Sequence, residues 1–349
     1  MSSFYTINGS VCTTQNIACI FNDPLNPLNL PPNIVRVRTR DGLPPTKHEH
    51  YNVTYETATL VDGTTDVYDV YKSGTNFDNL LFRCDNIVEV LGANTTNVTS
   101  VRYMFSDCSA LSSIAIFDTK NVTNMQDMFE ACKALTSVPV YNTTNVTSMY
   151  GTFYGCSSLT SIPEIDTSNV VDMHTMFMRC YGLTTAPMLN TSSVTSMEGM
   201  FSTCSALTSV PVYNTSNVTT FNTTFGGCRS LSSAPLFDTH NATTFSYMFS
   251  NCTALSAIPD YDTTNLQYII RMCDSCSSLT AINLFDTTNV QRTDWAFYNC
   301  VNVQSGALAL YQQLSTQTNV TNYYRTFRNC GTNTVQGAAE LAQIPSDWK

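Results

Sequence analysis

Apolar positions along most of this chain recur with a fixed period rather than in ordinary helix or strand runs. Ten cysteines stand at Cys84, Cys108, Cys132, Cys156, Cys180, Cys204, Cys228, Cys252, Cys276 and Cys300, each 24 residues from the next. Phenylalanine precedes the cysteine by three at Phe105, Phe129, Phe153, Phe177, Phe201, Phe225, Phe249 and Phe297, with lapses at Leu81 and Cys273. Leucine follows it by three from Leu111 to Leu279, and threonine follows by eleven from Thr95 to Thr287. The unit reads N-V-T-x-M-x-x-M-F-x-x-C-x-x-L-T-S-x-P-x-aromatic-D/N-T-x. A unit this short cannot bury its own apolar face, so it must stack on copies of itself.

Each part of the unit predicts an element. The segment Leu135 to Val140 is β-compatible and bounded by turn-formers, and its proline marks a bulge or the end of strand pairing. Met125 to Cys132 has apolar residues at helical spacing and predicts a single α or 3₁₀ turn on the opposite side. The stretch Asn214 to Thr219 is rich in residues that turn a chain through side-chain to backbone bonds, and stacked Asn and Thr can form ladders. About nine strands at ~4.8 Å spacing give a parallel sheet roughly 40 Å long.

The ends differ from the repeats. Residues 1–80 carry no repeat, are proline-dense from Pro24 to Pro32 and at Pro44 and Pro45, and hold strand-like patches at Ile34 to Arg38 and Thr57 to Val61. They read as a small β-rich attachment or capping domain. Residues 81–300 are the repeat body and 301–349 a C-terminal cap, in which Gly306 to Gln317 reads as an amphipathic helix and Asn319 to Cys330 returns to near-consensus. The expected fold is an α/β repeat solenoid with short helical turns, preceded by a small β domain.

Two rows next to the cysteine line are candidates for a surface. Nine residues after it stand Phe117, Tyr141, Ile165, Leu189, Tyr213, Phe237, Tyr261 and Phe285, either a core row or an aromatic track suited to stacking on sugars or peptide. One residue earlier stand Ile116, Val140, Glu164, Met188, Val212, Leu236, Asp260 and Leu284, a mixed row that suits solvent. Tyr141, Glu164, Tyr213, Phe237, Asp260 and Tyr261 are taken as the candidate exposed binding row.

Composition removes several functions. Only 12% of the 349 residues are charged and the net charge is −10. The densest basic stretch, Arg36, Arg38 and Arg40, is too small for phosphate-driven nucleic-acid binding or an anionic membrane surface. No apolar run approaches the ~18 residues of a membrane span, and the N-terminus MSSFYTINGSVCTTQ lacks the regions of a signal peptide.

No chemistry-bearing constellation emerges. Parallel cysteines ~4.8 Å apart suit neither disulfides nor clustered metal ligands and read as small buried thiols. Cys12 and Cys19 remain free to pair or not. His48-Glu49-His50 is a weak metal fragment in a polar loop. Asn97, Asn121, Asn145 and Asn217 match glycosylation acceptors, yet they belong to the repeat, where turn chemistry accounts for them. No catalytic, cofactor-binding or metal-binding residue is assigned, and no cofactor is expected.

The unit resembles the BspA-like leucine-rich repeats of bacterial surface proteins over roughly Asn79 to Cys330. That resemblance implies a right-handed parallel β-solenoid and adhesion to host molecules or other cells. With no export signal or anchor in view, the preferred expectation is a phage virion structural or attachment protein: a tail fibre, baseplate receptor-binding protein or head decoration. Its partners would be a host-surface glycan or protein and, through residues 1–80, other virion proteins or a second copy of the chain. A bacterial surface adhesin and a cytosolic interaction scaffold are the alternatives.

Overall fold

The computed structural model describes residues 5–7, 10–12, 30–46 and 53–349. The Cys12–Cys19 question and His48-Glu49-His50 fall outside the described side chains. Tyr5–Ile7 (β1) and Ser10–Cys12 (β2) pair as an antiparallel hairpin. A second sheet is built from Ile34–Thr39 (β3), Thr57–Leu60 (β4), Val67–Tyr71 (β5), Ile87–Ala93 (β6) and Ser113–Ile114 (β7), in the order β4-β5-β3-β6-β7. β3 pairs antiparallel with β5 and β6, whereas β6 pairs parallel with β7. The sheet thus starts in the non-repeating region and ends on the first two cysteine-centred units, covering the edge that the first unit would otherwise present.

The basic stretch in β3 is neutralised in place. Arg36 meets Asp69 at 2.6 Å, and Arg38 lies 2.6 Å from Glu89 and 3.5 Å from Asp66. The valines that alternate with them, Val35 and Val37, are fully buried.

From residue 77 onward the chain winds into successive 24-residue coils that hydrogen-bond one to the next. In the coil of Cys132, the amides of Met125, Asp127, Phe129 and Ala131 donate to the carbonyls of Ser148, Tyr150, Thr152 and Tyr154 at 2.6–3.1 Å. The amides of Met128 and Cys132 instead close turns back to Met125 and Phe129. Asp127 (φ 51°) and Ala131 (φ 54°) occupy the left-handed region, so each turn has the type II form. The same two positions, five and one before the cysteine, have positive φ in every coil.

This corrects the helical turn expected over Met125 to Cys132. An α-helix would send each amide to the carbonyl four residues back, and a 3₁₀ turn to the carbonyl three back with negative φ throughout. The left-handed residues instead turn alternate amides outward along the stack. Two tandem four-residue turns repeat every four positions, close enough to 3.6 that their apolar spacing imitates a helix.

The strand side is corrected as well. Apart from β6 and β7, the segment after each cysteine forms only isolated bridges, Thr185 to Ser209 and Ala281 to Ser305. In six coils the pairing position is held by Pro139, Pro163, Pro187, Pro211, Pro235 or Pro259, which have no amide hydrogen to donate, while the ninth coil, with Asn283 there, also forms only its single bridge. Where Ala115 takes the proline position, its amide does donate to Val90, at 2.8 Å, and the β6–β7 pairing forms. The longer ladder therefore runs along the turn ribbon, through bridges from Asn76–Ser100 to Ser148–Asp172 and again from Ser196–Thr220 to Arg292–Asn322.

Identical side chains also bond from coil to coil. Threonines eleven after the cysteine, from Thr119 to Thr263, donate to a carbonyl of the next coil at 2.5–3.0 Å. Asparagines from Asn121 to Asn289 donate to the previous coil at 2.6–2.8 Å. Cysteine thiols from Cys108 to Cys300 donate to the carbonyl of the residue 27 positions earlier at 3.0–3.1 Å. Replacing buried Thr191 by valine keeps its shape but leaves the Asn214 carbonyl without its donor. Thr191→Val is expected to lower stability by about 1–3 kcal/mol, read as a fall in the urea midpoint; an unchanged midpoint would show the ladder to be energetically neutral.

The stack ends at Ala307–Leu314 (α1), Val335–Gln343 (α2) and the 3₁₀ turn Ser346–Trp348. Glu340 of α2 accepts from the amides of Gly306 and Leu308 at the start of α1. Trp348 stacks on Tyr323 at 4.2 Å, and its carbonyl takes the Phe327 amide that in other coils bonds to a further coil. α1 falls within the expected Gly306 to Gln317 helix; α2 and the Trp348 lid were not anticipated.

Candidate binding surface

The extended segment that leaves each cysteine turns successive side chains to opposite sides. This splits the two candidate rows. Tyr141, Tyr213, Phe237 and Tyr261 are buried, which corrects their assignment as an exposed binding row. Their rings lie against the phenylalanines of the core: Tyr141 on Phe129 and Tyr213 on Phe201 at 6.3 Å, Phe237 on Phe225 at 6.2 Å, and Tyr261 on Phe245 at 5.6 Å. Tyr213 and Tyr261 spend their hydroxyls on the carbonyls of Pro187 and Pro235. An aromatic track for stacking on sugars is therefore absent from this face among the described residues.

Glu164 and Asp260 are exposed, as the mixed row requires. Their row companions Ile116, Val140, Met188, Val212, Leu236 and Leu284 are between 57 and 68% exposed. These six aliphatic side chains, one per coil, form a broken apolar line along the stack, interrupted by the two carboxylates. Sequence reasoning placed this row in solvent but selected only its acids. The usable signal was its position next to a row that is apolar in every coil, since alternation makes two adjacent rows face opposite ways.

One arrangement invites a catalytic reading. Asp172 Oδ1 lies 2.7 Å from His174 Nδ1, and His174 Nε2 lies 2.8 Å from Ser196 Oγ, the order of a nucleophile, base and orienting acid. The hydrogen bond to Asp172 raises the titration of His174. Yet the Glu198 amide donates to the Ser196 hydroxyl, and the amides of Met197 and Gly199 donate to Thr220 and Asn222. The three amides that follow the hydroxyl are thus committed and cannot hold an oxyanion. The corresponding positions of the first two coils are bridged too, Ser100 to Asp78, and at the His174 position itself Asn222 donates to Glu198 of the coil before. The relay is one rung of the coil-to-coil bonding.

The other suggestive residues are also absorbed by the stack. Among the described residues, the cysteines from Cys108 to Cys330 are buried thiols, most of them bonded to a neighbouring coil's carbonyl. Asn121, Asn145 and Asn217 use their side-chain amides on the preceding coil. Among the described residues, no group of three or more His, Cys, Asp or Glu could hold a metal ion, and no helix is long and apolar enough to cross a membrane.

A family model described as "Mycoplasma protein of unknown function, DUF285" matches the chain in five overlapping segments, 75–185, 160–257, 184–282, 209–311 and 233–336. The chain belongs to this family. The DUF285 matches span the cysteine-centred coils and reach into the C-terminal cap. Among solved structures, similarity is found to a leucine rich cell surface protein of Faecalibacterium prausnitzii, 15% identical, covering 77% of this chain and 79% of that one with a TM-score of 0.37. A leucine-rich repeat protein of Eubacterium ventriosum is 18% identical over 72% of this chain and 79% of its own, with a TM-score of 0.36. A leucine rich repeat protein of T. pallidum is 16% identical over 60% and 81%, with a TM-score of 0.29. No curated protein matches the chain.

Proposed function

We propose that this DUF285 chain is a non-enzymatic adhesion protein that binds a protein partner along its exposed aliphatic row. The observation that carries the reading is the repetition of one exposed apolar side chain at the same position in six coils. Single exposed aliphatics are ordinary on soluble proteins, whereas an aligned series marks an interaction surface. Aliphatic side chains between carboxylates suit a protein surface with apolar and basic groups better than a glycan, whose usual stacking partners are aromatic. The rigid stack holds the row straight, so binding requires little ordering of the surface.

The test is Val140→Lys, Val212→Lys and Leu236→Lys combined, assayed for binding of labelled protein to a panel of bacterial cells. All three positions face solvent, so each change is expected to alter stability by no more than about 0.5 kcal/mol. Cell binding is expected to fall by about a hundredfold, corresponding to roughly 3 kcal/mol. Retention of full binding by a folded triple variant would overturn the reading. Two places fit such an adhesin, a phage virion and a bacterial surface, and mass spectrometry of purified particles and cell envelopes separates them.

A further inference from the structure

The coils of Cys276, Cys300 and Cys330 bring together arginines that lie far apart in the chain. Five before each of these cysteines stand Arg271, Trp295 and Arg325, all in the left-handed conformation of the turn ribbon. Amide bonds from Arg271 to the Asp294 carbonyl and from Trp295 to the Tyr324 carbonyl, both 2.9 Å, set the three coils side by side. Arg271 Cζ lies 3.9 Å from the centre of the Trp295 ring, Tyr324 meets that ring edge-on at 5.6 Å, and Arg325 Cζ lies 4.6 Å over the Tyr324 ring. Guanidinium groups and rings thus share one patch of the ribbon, and its outermost ring, Tyr324, is 51% exposed.

The charges of the patch are only partly balanced. Arg271 pairs with Asp274 at 2.6 Å and Arg292 with Asp294 at 3.1 Å. Among the described residues, Arg325 and Arg328 have no carboxylate in ion-pair range, and the exposed Asp347 of the closing turn pairs with neither. Four of the chain's 16 basic residues therefore meet here in a protein of net charge −10, while the ribbon acids Asp107, Asp127, Glu130, Asp172 and Glu198 belong to earlier coils. Beside the arginines, Asn329 Nδ2 donates to Asn299 Oδ1 at 2.8 Å, which leaves the Asn299 amide hydrogens and the Asn329 carbonyl for a hydroxyl-bearing ligand.

We infer that this patch binds a polysaccharide built of uronic acid sugars. The exposed Tyr324 ring offers a surface to the apolar side of a pyranose, and the guanidinium forks of Arg325 and Arg328 match a sugar carboxylate through paired N–H donors. A polyuronate carries one carboxylate on each ring, so one sugar can stack while its neighbour is held by charge. The denser charge of a nucleic acid requires a longer basic row and is repelled by the acidic chain around so small a patch. The patch lies on the turn ribbon, whereas the aliphatic row lies in the segment after each cysteine, so it does not depend on that row binding a protein.

The probe is tetragalacturonate, titrated into the full chain by calorimetry, with its fully methyl-esterified form and a single-stranded DNA oligonucleotide of equal charge for comparison. The acid is expected to saturate and to bind about tenfold more tightly than the ester. Arg325→Gln combined with Arg328→Gln is expected to erase that advantage, and Arg328→Gln alone to reduce it. Tyr324→Ala, at an exposed position, is expected to weaken acid and ester alike by about tenfold, whereas Tyr324→Phe keeps both. Absence of saturation on the native chain, equal affinity for acid and ester, or DNA binding as tight as that of the acid would each overturn the proposal. So would undiminished acid binding by the folded double variant or, if that variant does not fold, by Arg328→Gln.

Discussion

Raising the pH from 8 to 10.5 is expected to unfold this protein cooperatively, with thiolate absorbance appearing in the same step as loss of the circular dichroism signal. Burial pushes ten of its thiols upward: Cys108, Cys132, Cys156, Cys180, Cys204, Cys228, Cys252, Cys273, Cys300 and Cys330. Cys204 and Cys330 are pushed up to about 12 from an ordinary 9.0. Below 9.0 the thiols are protonated in both folded and unfolded chains, and stability does not depend on them. Above it the unfolded chain releases protons that the folded chain keeps, so stability falls as pH rises toward the folded values. Each thiol costs about 1.4 kcal/mol per pH unit in that window. Ten acting together reach the ~5–15 kcal/mol of an ordinary domain about one unit above 9.0. Buried Tyr141, Tyr213 and Tyr261, whose phenols are also raised, extend the loss to higher pH. Thiols that titrate near 9 while the fold persists would show that the cysteine row opens locally and would defeat this expectation.

The cysteine row shows what the sequence made legible and what it hid. Its spacing of 24 declared the repeat, its stacking and the burial of the thiols. The carbonyl partner of each thiol was invisible, because it sits 27 residues earlier and exists only once coils are in register. The turn ribbon was misread for a related reason. The signal for positive φ was scattered: Gly151, Gly155, Gly199 and Gly227, with Asp127 and Asn329, suit the left-handed region, whereas Ala131, Arg179 and Trp295 at equivalent positions do not, so residue type did not declare the handedness coil by coil. It is imposed by the bonds between coils, which compensate for a conformation that L-residues ordinarily disfavour. Proline, by contrast, was informative: its missing donor correctly marked where strand pairing ends, although the number of strands lost was underestimated. At the candidate surface, Glu164 and Asp260 were readable from charge. The aromatic residues beside them were ambiguous, since Tyr and Phe suit core and contact surface equally, and only the side taken by the chain decides.

The phenylalanine column is where the stack is most sensitive to a single change. Phe177 is fully buried between Phe153 and Phe201, at 5.6 and 5.5 Å. Its amide bonds to Met200 and its carbonyl accepts the Cys204 thiol, so backbone on both sides is held in place and cannot collapse into a void. Phe177→Ala is expected to cost about 3–5 kcal/mol. Because each coil touches only its neighbours, the loss falls on the interfaces that join residues 77–176 to the coils beyond. Urea unfolding is then expected to become broader, with the two halves separating, rather than simply shifting to a lower midpoint. Trp348→Ala removes a ring of greater area, but at the end of the column, where fraying of the last coil limits the damage to that end. The chain already carries a cysteine at this place in the column, Cys273 of the ninth coil. Phe177→Cys should reproduce that state in the fifth coil, folded but with a new cavity. A Phe177→Ala protein within about 1 kcal/mol of the native chain would mean that the threonine, asparagine and thiol ladders, rather than the rings, hold adjacent coils together.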